Sequence, residues 1–360
     1  MLVTRRVVRP GAELETVVVQ ITRVGDDVTD AQVDGVVELQ RVVEADVDPE
    51  RPPVTPAEVA GMLRHQLPAH RYWTWLARDG DATIGRVSAL MDLRPTNTGL
   101  VEVEEVMVHP ERRRRGIATA VMRAAVTDLA ASGASSLIIW PQDDAGRQFC
   151  ERIGLTRRQD ERQSRLRVDE VDDAQQEEWM AAPKGRAAGY SVVSWAGSTP
   201  GEHLDAWLVA CDAMADAPLD SIEWTHDPPT AEWMRATEAV YEARGTHRYA
   251  SLALAADGSA GGMTLIVVPS SCPRRADQYD TAVVPAHRGH GLGRWLKAAN
   301  LAQVRRAHPE LEMVDTWNAE TNGPMLDINV AMGFRPLRTW YAYQASVATV
   351  ADRVAGRVGL

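Results

Sequence analysis

VMVHPERRRRGIATAVM, residues 106–122, and AVVPAHRGHGLGRWLK, residues 282–297, are two versions of one pattern. Each passes from a valine-rich strand through a proline to arginine and glycine, then into an apolar helix. Gly116 and Gly291 correspond and lie 175 residues apart. The echo continues downstream. Trp140 closes SSLIIW and Trp317 closes LEMVDTW, 177 residues apart, while Ile153-Gly154-Leu155 answers Met332-Gly333-Phe334 with glycines 179 apart. The offset stays near half of the 360 residues, so the chain reads as two copies of one domain. A length of about 100–200 residues per domain agrees with that.

The boundary should fall between the copies. Residues 169–189, DEVDDAQQEEWMAAPKGRAAG, read as a short polar helix followed by a linker. This places the first domain at residues 1–170, a linker at 171–188 and the second domain at 189–360. Both copies read as mixed α/β. In the first, strands are expected at 16–24, 72–77, 83–92, 100–108 and 136–140, with helices at 30–43, 56–67, 116–132 and 144–153. Thr55 with Pro56 behind it is a helix start, and Asp79-Gly80-Asp81 is a hairpin turn. The second copy repeats the order: a strand at 190–195, helices at 201–215 and 231–244, and a hairpin across Asp257-Gly258. A strand at 278–284, a helix from Gly291, a strand at 311–317, a helix at 325–332 and a strand at 334–345 complete it. Trp73 and Trp75 share one strand face and are expected in the core.

Composition removes several function classes. Hydrophobic residues make up 45% and charged residues 25%, which fits a globular protein with a sizeable core and excludes wholesale disorder. The net charge of −11 argues against a nucleic-acid partner. Of the 39 basic side chains only Lys184 and Lys297 are lysine. Cys150, Cys211 and Cys272 are too scattered for a disulfide frame or a zinc site, and no His/Cys/Asp cluster has ligand spacing, so no metal is expected. The start lacks an apolar leader and no run of 18 apolar residues occurs. The expected location is the cytoplasm, away from membranes.

The chemistry is carried by Arg113-Arg114-Arg115-Gly116-Ile117-Ala118 and Arg288-Gly289-His290-Gly291-Leu292-Gly293. Each lies between a strand and a helix. Small residues allow a tight turn in which consecutive N–H groups face one point, and that point is also a helix N-terminus. A flanking arginine adds a full charge. The product is a cradle for a diphosphate, present twice.

The pattern (Arg/Gln)-x-x-Gly-x-(Gly/Ala) after a strand ending near a proline resembles the GNAT acyltransferase superfamily. Arg113, Gly116 and Ala118 match it in copy one, and Arg288, Gly291 and Gly293 in copy two. A second motif, Asn then a helix then Leu-Gly-Phe, is matched by Asn322 and Met332-Gly333-Phe334. Copy one keeps Ile153-Gly154-Leu155 but has Asp143-Asp144 where the Asn is usual. The whole chain is similar to tandem actinobacterial enzymes of the mycothiol-synthase type.

The resemblance implies two tandem GNAT domains of the α/β (α+β) class. Each would be a mixed, mostly antiparallel twisted sheet flanked by helices, with a V between two parallel strands. It implies acetyl-CoA as cosubstrate, its pantetheine paired to backbone near Val106, Val108, Val283 and Val284. The cradle residues Arg113, Arg114, Arg115, Gly116, Ile117, Ala118, Arg288, Gly289, His290, Gly291, Leu292 and Gly293 would take its diphosphate, with Asn322 beside them. It implies direct attack of a small-molecule primary amine on the thioester. The amine must lose a proton, since a free alkylamine has a pKa of about 10. Glu104 and Glu105 in copy one and Asp280 in copy two lie on the strand before each cradle, as candidate bases; the plain alternative for each is a solvated strand charge. The family's usual tyrosine acid falls at Cys150 and Asn329, and Tyr341 and Tyr343 are possible substitutes. Copy two, with both motifs intact, is expected to be catalytic; copy one is degenerate or regulatory. Two other readings stay open. One is a non-catalytic acetyl-CoA sensor, and the other a GNAT-like transferase using aminoacyl-tRNA.

Overall fold

A computed structural model of the chain describes residues 2–7, 15–25, 27–181 and 187–356. Part of the expected linker, residues 182–186, lies outside the described residues. The chain divides into two compact units: Met1–Gln159 with Tyr341–Leu360, and Asp160–Trp340. No described helix is long and apolar enough to cross a membrane.

The N-terminal unit begins with β1 (Leu2–Val7) and β2 (Glu15–Arg23), followed by α1 (Asp30–Val47) and α2 (Pro56–Arg64). Capping boxes start both helices, Thr29 with Gln32 and Thr55 with Glu58, each threonine accepting the third backbone amide while the longer side chain reaches back. Then come β3 (His70–Asp79), β4 (Ala82–Asp92), β5 (Leu100–Val108), α3 (Ile117–Ala131), β6 (Ser136–Ile139) and α4 (Asp144–Arg152). The strands β1 to β5 pair antiparallel in chain order, and β6 lies parallel to β5. Trp73 and Trp75 alternate to one face of β3 and are fully buried, as their spacing predicts. They join Val101, Val103, Val121, Met122 and Leu137 in the main core, and the Trp75 indole donates to Asp128 at 2.8 Å.

The C-terminal unit repeats the plan. After β7 (Thr156–Arg167) and α5 (Asp173–Met180) come β8 (Ser191–Ala196), α6 (Leu204–Asp212) and α7 (Ala231–Ala243). The antiparallel strands β9 (Thr246–Leu254), β10 (Ala260–Pro269) and β11 (Arg275–Val283) follow, then α8 (Leu292–Ala307), β12 (Met313–Ala319) and α9 (Gly323–Ala331). Here β11 and β12 are the parallel pair. Each unit is thus a mixed, mostly antiparallel sheet with helices around it, the expected fold class.

The two units are not bounded at 1–170 and 189–360. The last strand, β13 (Arg335–Ser346), carries residues 343–346 onto β6 of the N-terminal unit, and α10 (Val347–Val354) packs its Val347, Val350 and Val354 into that unit's core. Residues 161–167 of β7 pair with β12 in the C-terminal unit. Each sheet is therefore finished by the strand that the repeat would give to the other copy. Periodicity marks a strand but not which sheet edge it joins, so the exchange has no signature in the sequence. Nor is all of 171–188 linker. Helix α5 packs on α8, with the Gln176 amide donating to the Ala298 carbonyl at 3.0 Å and Arg305 paired to Asp173 at 2.6 Å.

Candidate active site

In the C-terminal unit, β11 pairs with β12 only over residues 275–278, although β11 continues to Val283 and β12 to Ala319. The strands part at a β-bulge. Opposite β10, Thr264 faces Thr281 and Ile266 faces Gln278, so β11 carries an extra residue at Tyr279-Asp280. A bulge bends its strand and re-aims side chains. It also strands a backbone group, and here the Gln278 side-chain amide donates to the Leu265 carbonyl at 2.8 Å and to the Thr264 hydroxyl at 3.0 Å. The N-terminal unit is built alike. Its β5–β6 pairing ends at Val103↔Ile139, and the register jumps between Ser88↔Glu105 and Leu90↔Glu102.

Beyond each gap lies a cradle. Gly116 (φ 76°, ψ 9°) and Gly291 (φ 78°, ψ 8°) occupy the left-handed region at the N-caps of α3 and α8, and neither helix has a side-chain cap. The first intrahelical bonds run from Ala120 to Gly116 and from Trp295 to Gly291, so the amides of 117–119 and 292–294 stand ahead of the hydrogen-bonded turn. Such free amides and the helix dipole favour an anion. A Cβ on Gly289 or Gly291 would meet nothing within 4 Å, so the cradle is open. One on Gly293 would lie 3.0 Å from the Ile328 side chain, so that glycine serves the contact between α8 and α9.

The two arginines of the motif are held the same way. Arg288 donates Nε to the Val283 carbonyl at 3.2 Å and Nη2 to Asp216 at 2.6 Å. Arg113 donates Nε to the Val108 carbonyl at 3.3 Å and Nη1 to Asp46 at 2.7 Å. Neither carboxylate partner is legible in the sequence. Asp46 ends α1 and Asp216 follows α6, and nothing in their surroundings marks them.

The other expected residues divide between scaffold and cleft. Leu292 and Ile117 are buried in the cores beneath the cradles, and Ala118 packs beside Ile117. The Val284 amide donates to the Gly261 carbonyl at 3.0 Å, extending β11 by a step. Val106 pairs with Val87 on β4. The His290 ring turns back to the His287 and Arg288 carbonyls at 3.1 and 3.0 Å and packs on Tyr190. It braces the loop. Arg115 donates to the Glu111 carbonyl at 3.2 Å, and Arg114 takes the left-handed conformation (φ 63°) that Gly289 supplies in copy two. Asn322 caps α9, accepting from the Met325 amide at 3.4 Å.

The candidate bases differ sharply. Glu105 is locked to the buried Arg86 at 2.7 Å and accepts from the Ser88 hydroxyl at 3.1 Å. Glu104 is exposed at the bulge of β5, and Glu102 also meets solvent, yet desolvation by the surrounding protein pushes its carboxyl up, with Trp140 pulling it partly back. Asp280 sits in the β11 bulge and makes no ion pair among the described residues. Solvent reaches it, yet the surrounding protein raises its carboxyl, and His226 only partly offsets this. His226 contacts Asp212 at 3.0 Å and stands edge-on to Trp224. Tyr279 meets Tyr241 edge-on at 6.4 Å. Trp207 is buried in the core of this unit, and Trp233 packs against that core.

At the family's tyrosine position, Cys150 is buried with its thiol pushed up to about 12, an inert filler. Asn329 is buried and donates to Asn318 at 2.7 Å. Tyr341 and Tyr343 lie in the N-terminal unit. The Tyr343 hydroxyl donates to Glu151 at 2.9 Å, and the Tyr341 ring lies between the Arg147 and Arg157 guanidiniums. Among the described residues no group of three or more His, Cys, Asp or Glu is placed to hold a metal.

Residues 39–155 match the acetyltransferase (GNAT) family model. The chain is 28% identical over 302 residues to mycothiol acetyltransferase of Saccharomonospora viridis, covering 81% of this chain and 89% of that one. It is 27% identical over 273 residues to mycothiol acetyltransferase of Nocardia farcinica, covering 73% and 81%. Among solved structures, a tandem GNAT protein from the clavulanic acid biosynthesis pathway superposes with a TM-score of 0.75 at 27% identity, over 91% of this chain and 98% of that one. A GCN5-related N-acetyltransferase from Sphaerobacter thermophilus shares the fold, at a TM-score of 0.63 and 16% identity over 91% and 96%. Residues 39–155 thus carry an acetyltransferase (GNAT) domain, and the chain, with two units of one plan and a cradle in each, is similar over most of its length to tandem GNAT N-acetyltransferases.

Proposed function

We propose that the protein moves an acetyl group from acetyl-CoA to the primary amine of a small molecule, by direct attack in the C-terminal unit. The observation that carries this is the open, uncapped helix start at Gly291 standing beside strands that part at Asp280. In this reading the amides from Gly289 to Gly293 and the Arg288 guanidinium hold the diphosphate. The pantetheine runs along the unpaired edge of β11 near Val283 and Val284, and Asn322 acts by starting α9 alongside. Bringing thioester and amine together in one cleft supplies much of the rate. Asp280 takes the proton of the attacking ammonium, a task suited to a carboxyl whose pKa is raised. The relatives' name, mycothiol acetyltransferase, supports a small-molecule acceptor.

The N-terminal cradle, Arg113 to Ala118, has the geometry to bind a second acyl-CoA. Its chemistry is weaker, because Glu105 is neutralised by Arg86. Calorimetric titration of acetyl-CoA, followed by an amine panel with release of CoA thiol, tests the reading. Binding with amine-dependent thiol release supports it. Tight binding without turnover on any amine favours the sensor reading, which the replacement of the tyrosine by Cys150 and Asn329 motivates. No binding sinks the acyl-CoA reading altogether.

A further inference from the structure

Of the tryptophan, tyrosine and phenylalanine side chains among the described residues, two are exposed, Trp224 at 37% and Tyr279 at 43%. Both belong to the C-terminal unit, and both stand about Asp280. Tyr279 is its neighbour in the β11 bulge and meets Tyr241 of α7 edge-on at 6.4 Å. The Asp280 charge acts on the Tyr241 hydroxyl and on the Cys211 thiol of α6, so the bulge turns the carboxyl toward those helices. From the loop between α6 and α7, Trp224 stands edge-on to His226 at 6.1 Å, and His226 is the basic group that acts on Asp280. Arg244 and Arg248 act on Tyr241 instead. Solvent reaches Tyr241 and Asp280, yet the surrounding protein disfavours the charged form of each, which is the condition of a recess wall. The loop that carries Trp224 is pinned although residues 217–230 form neither helix nor strand. Asp216 ahead of it is paired with Arg288, and Asp220, left-handed at φ 46°, accepts from the Thr321 hydroxyl at 3.0 Å. The repeat supplies a control. Glu105 answers Asp280 at the offset of 175 and is neutralised by Arg86, which faces Met107 across β4 and β5. The same place in the C-terminal unit, facing Ala282, is held by Met263. The Asp280 carboxylate therefore has no arginine across the strand to answer it.

We propose that the acceptor of the C-terminal unit is an arylalkylamine, a primary amine on a flat aromatic body with no carboxylate on the carbon that bears the nitrogen. The inference rests on the acetyl-transfer reading of that unit and names the class of its acceptor. The ammonium meets Asp280, and the ring lies against the open Tyr279 and Trp224. Aromatic pairs, and an ammonium beside an aromatic face, add to what burial alone gives. A carboxylate beside the nitrogen would be brought against Asp280, where like charges are penalised, so an amino acid is disfavoured. An amino sugar is disfavoured for another reason. Its hydroxyls need partners, and Asp212, Asp216 and Asp220 are already engaged by His226, Arg288 and Thr321. In the transfer, Asp280 takes one proton from the ammonium and the freed nitrogen attacks the thioester carbon. The C–N bond forms, and the C–S bond breaks with its electron pair on sulfur. The nitrogen's second proton goes to that sulfur, giving the CoA thiol, and Asp280 returns its own to solvent.

The test measures kcat/KM of the whole protein with acetyl-CoA and four amines, read as CoA thiol released and amide formed. The amines are 2-phenylethylamine, its carboxylated counterpart phenylalanine, its saturated counterpart 2-cyclohexylethylamine, and glucosamine. The aryl amine should exceed phenylalanine by at least about tenfold, the scale of one like-charge contact near a protein surface. It should also exceed glucosamine. Its margin over the cyclohexyl amine should be about three- to tenfold, the worth of an aromatic contact beyond its area. Trp224→Ala should raise KM for the aryl amine and narrow that last margin, and Tyr279→Leu should do the same from the strand. Both side chains are exposed, so the variants are expected to fold, and their melting curves check that. Phenylalanine or glucosamine used as well as 2-phenylethylamine overturns the inference and leaves acetyl transfer standing. So does a margin over the cyclohexyl amine that both variants leave unchanged. Acetyl-CoA bound but consumed with none of the four overturns the inference, and failure to bind acetyl-CoA overturns the reading beneath it as well.

Discussion

Gly291→Glu should weaken acetyl-CoA binding to the C-terminal unit without unfolding it. Gly291 is left-handed at φ 78°, and its Cβ direction is empty for 4 Å. A side chain there meets backbone strain but no atoms, and left-handed backbone costs an ordinary residue roughly 1–2 kcal/mol. The carboxylate would project into the cradle. For a separation of about 6 Å from a phosphate charge, each charge pair repels by about 1–3 kcal/mol, between water-like and near-surface screening. That converts to roughly 10- to 100-fold in Kd per phosphate charge at about 1.4 kcal/mol per decade. Gly291→Ala carries the strain without the charge and should show only a small part of the loss. Calorimetry with acetyl-CoA at two salt concentrations separates the terms, because only the charge repulsion fades with salt. Gly291→Glu that is folded and binds acetyl-CoA as tightly as the parent would refute the cradle. Gly293 is a poor target, since its Cβ would press on Ile328 at 3.0 Å and confound packing with binding.

Three further outcomes are expected. Asp280→Asn should lower kcat by about 10²- to 10⁴-fold, the usual worth of a general base. Its pH profile should lose the acid limb, which in the parent falls at higher pH than an ordinary aspartate would give because desolvation by the surrounding protein raises the Asp280 carboxyl against a smaller pull from His226. Lys297→Met should raise stability at neutral pH by up to a few kcal/mol, at about 1.4 kcal/mol per pKa unit. The lysine's pKa falls from 10.5 to about 7 on folding, so its cost is full below about 7 and fades as pH rises toward 10.5. Denaturant melts of both proteins across that window check the sign. Glu238→Gln should destabilise the C-terminal unit by about 3–5 kcal/mol, as breaking a buried pair does. Burial opposes the charge of Glu238, but the Thr199 hydroxyl and amide, then Arg235 and Arg248, outweigh it and hold its pKa below the usual value. Its contribution is therefore present at neutral pH and lost as pH falls through the acid range below 4.5. A flat stability difference between parent and variant across that range would contradict this.

The repeat and the glycine turns carried most of the fold, for a physical reason. A left-handed glycine before an apolar helix is a local requirement, and local requirements are written locally. Gly116 and Gly291 could be paired by inspection, and their caps agree to within a few degrees. The strand period likewise placed Trp73 and Trp75 in the core. The destination of β7 and β13 was not written in this way, because either strand offers the same alternation to either sheet. The site was legible only in its backbone part. Asp280 could be named, but its place in a bulge depends on how β10 and β11 register. That Glu105 is tied up by Arg86 follows from a neighbouring strand nearly twenty residues earlier in the chain. Asp46 and Asp216 reach the cradle arginines from elements whose tertiary approach no spacing encodes.

The central claim is acetyl-CoA-dependent transfer to an amine, and amine-dependent release of CoA thiol measures it most directly. The protein is mixed with acetyl-CoA, with and without a panel of small primary amines, and thiol is read against amide formed. The account predicts thiol released in step with one amide per thiol, only when an amine is present, and lost in Gly291→Glu. Acetyl-CoA bound but unconsumed with every amine, or thiol release that Gly291→Glu leaves untouched, would contradict it.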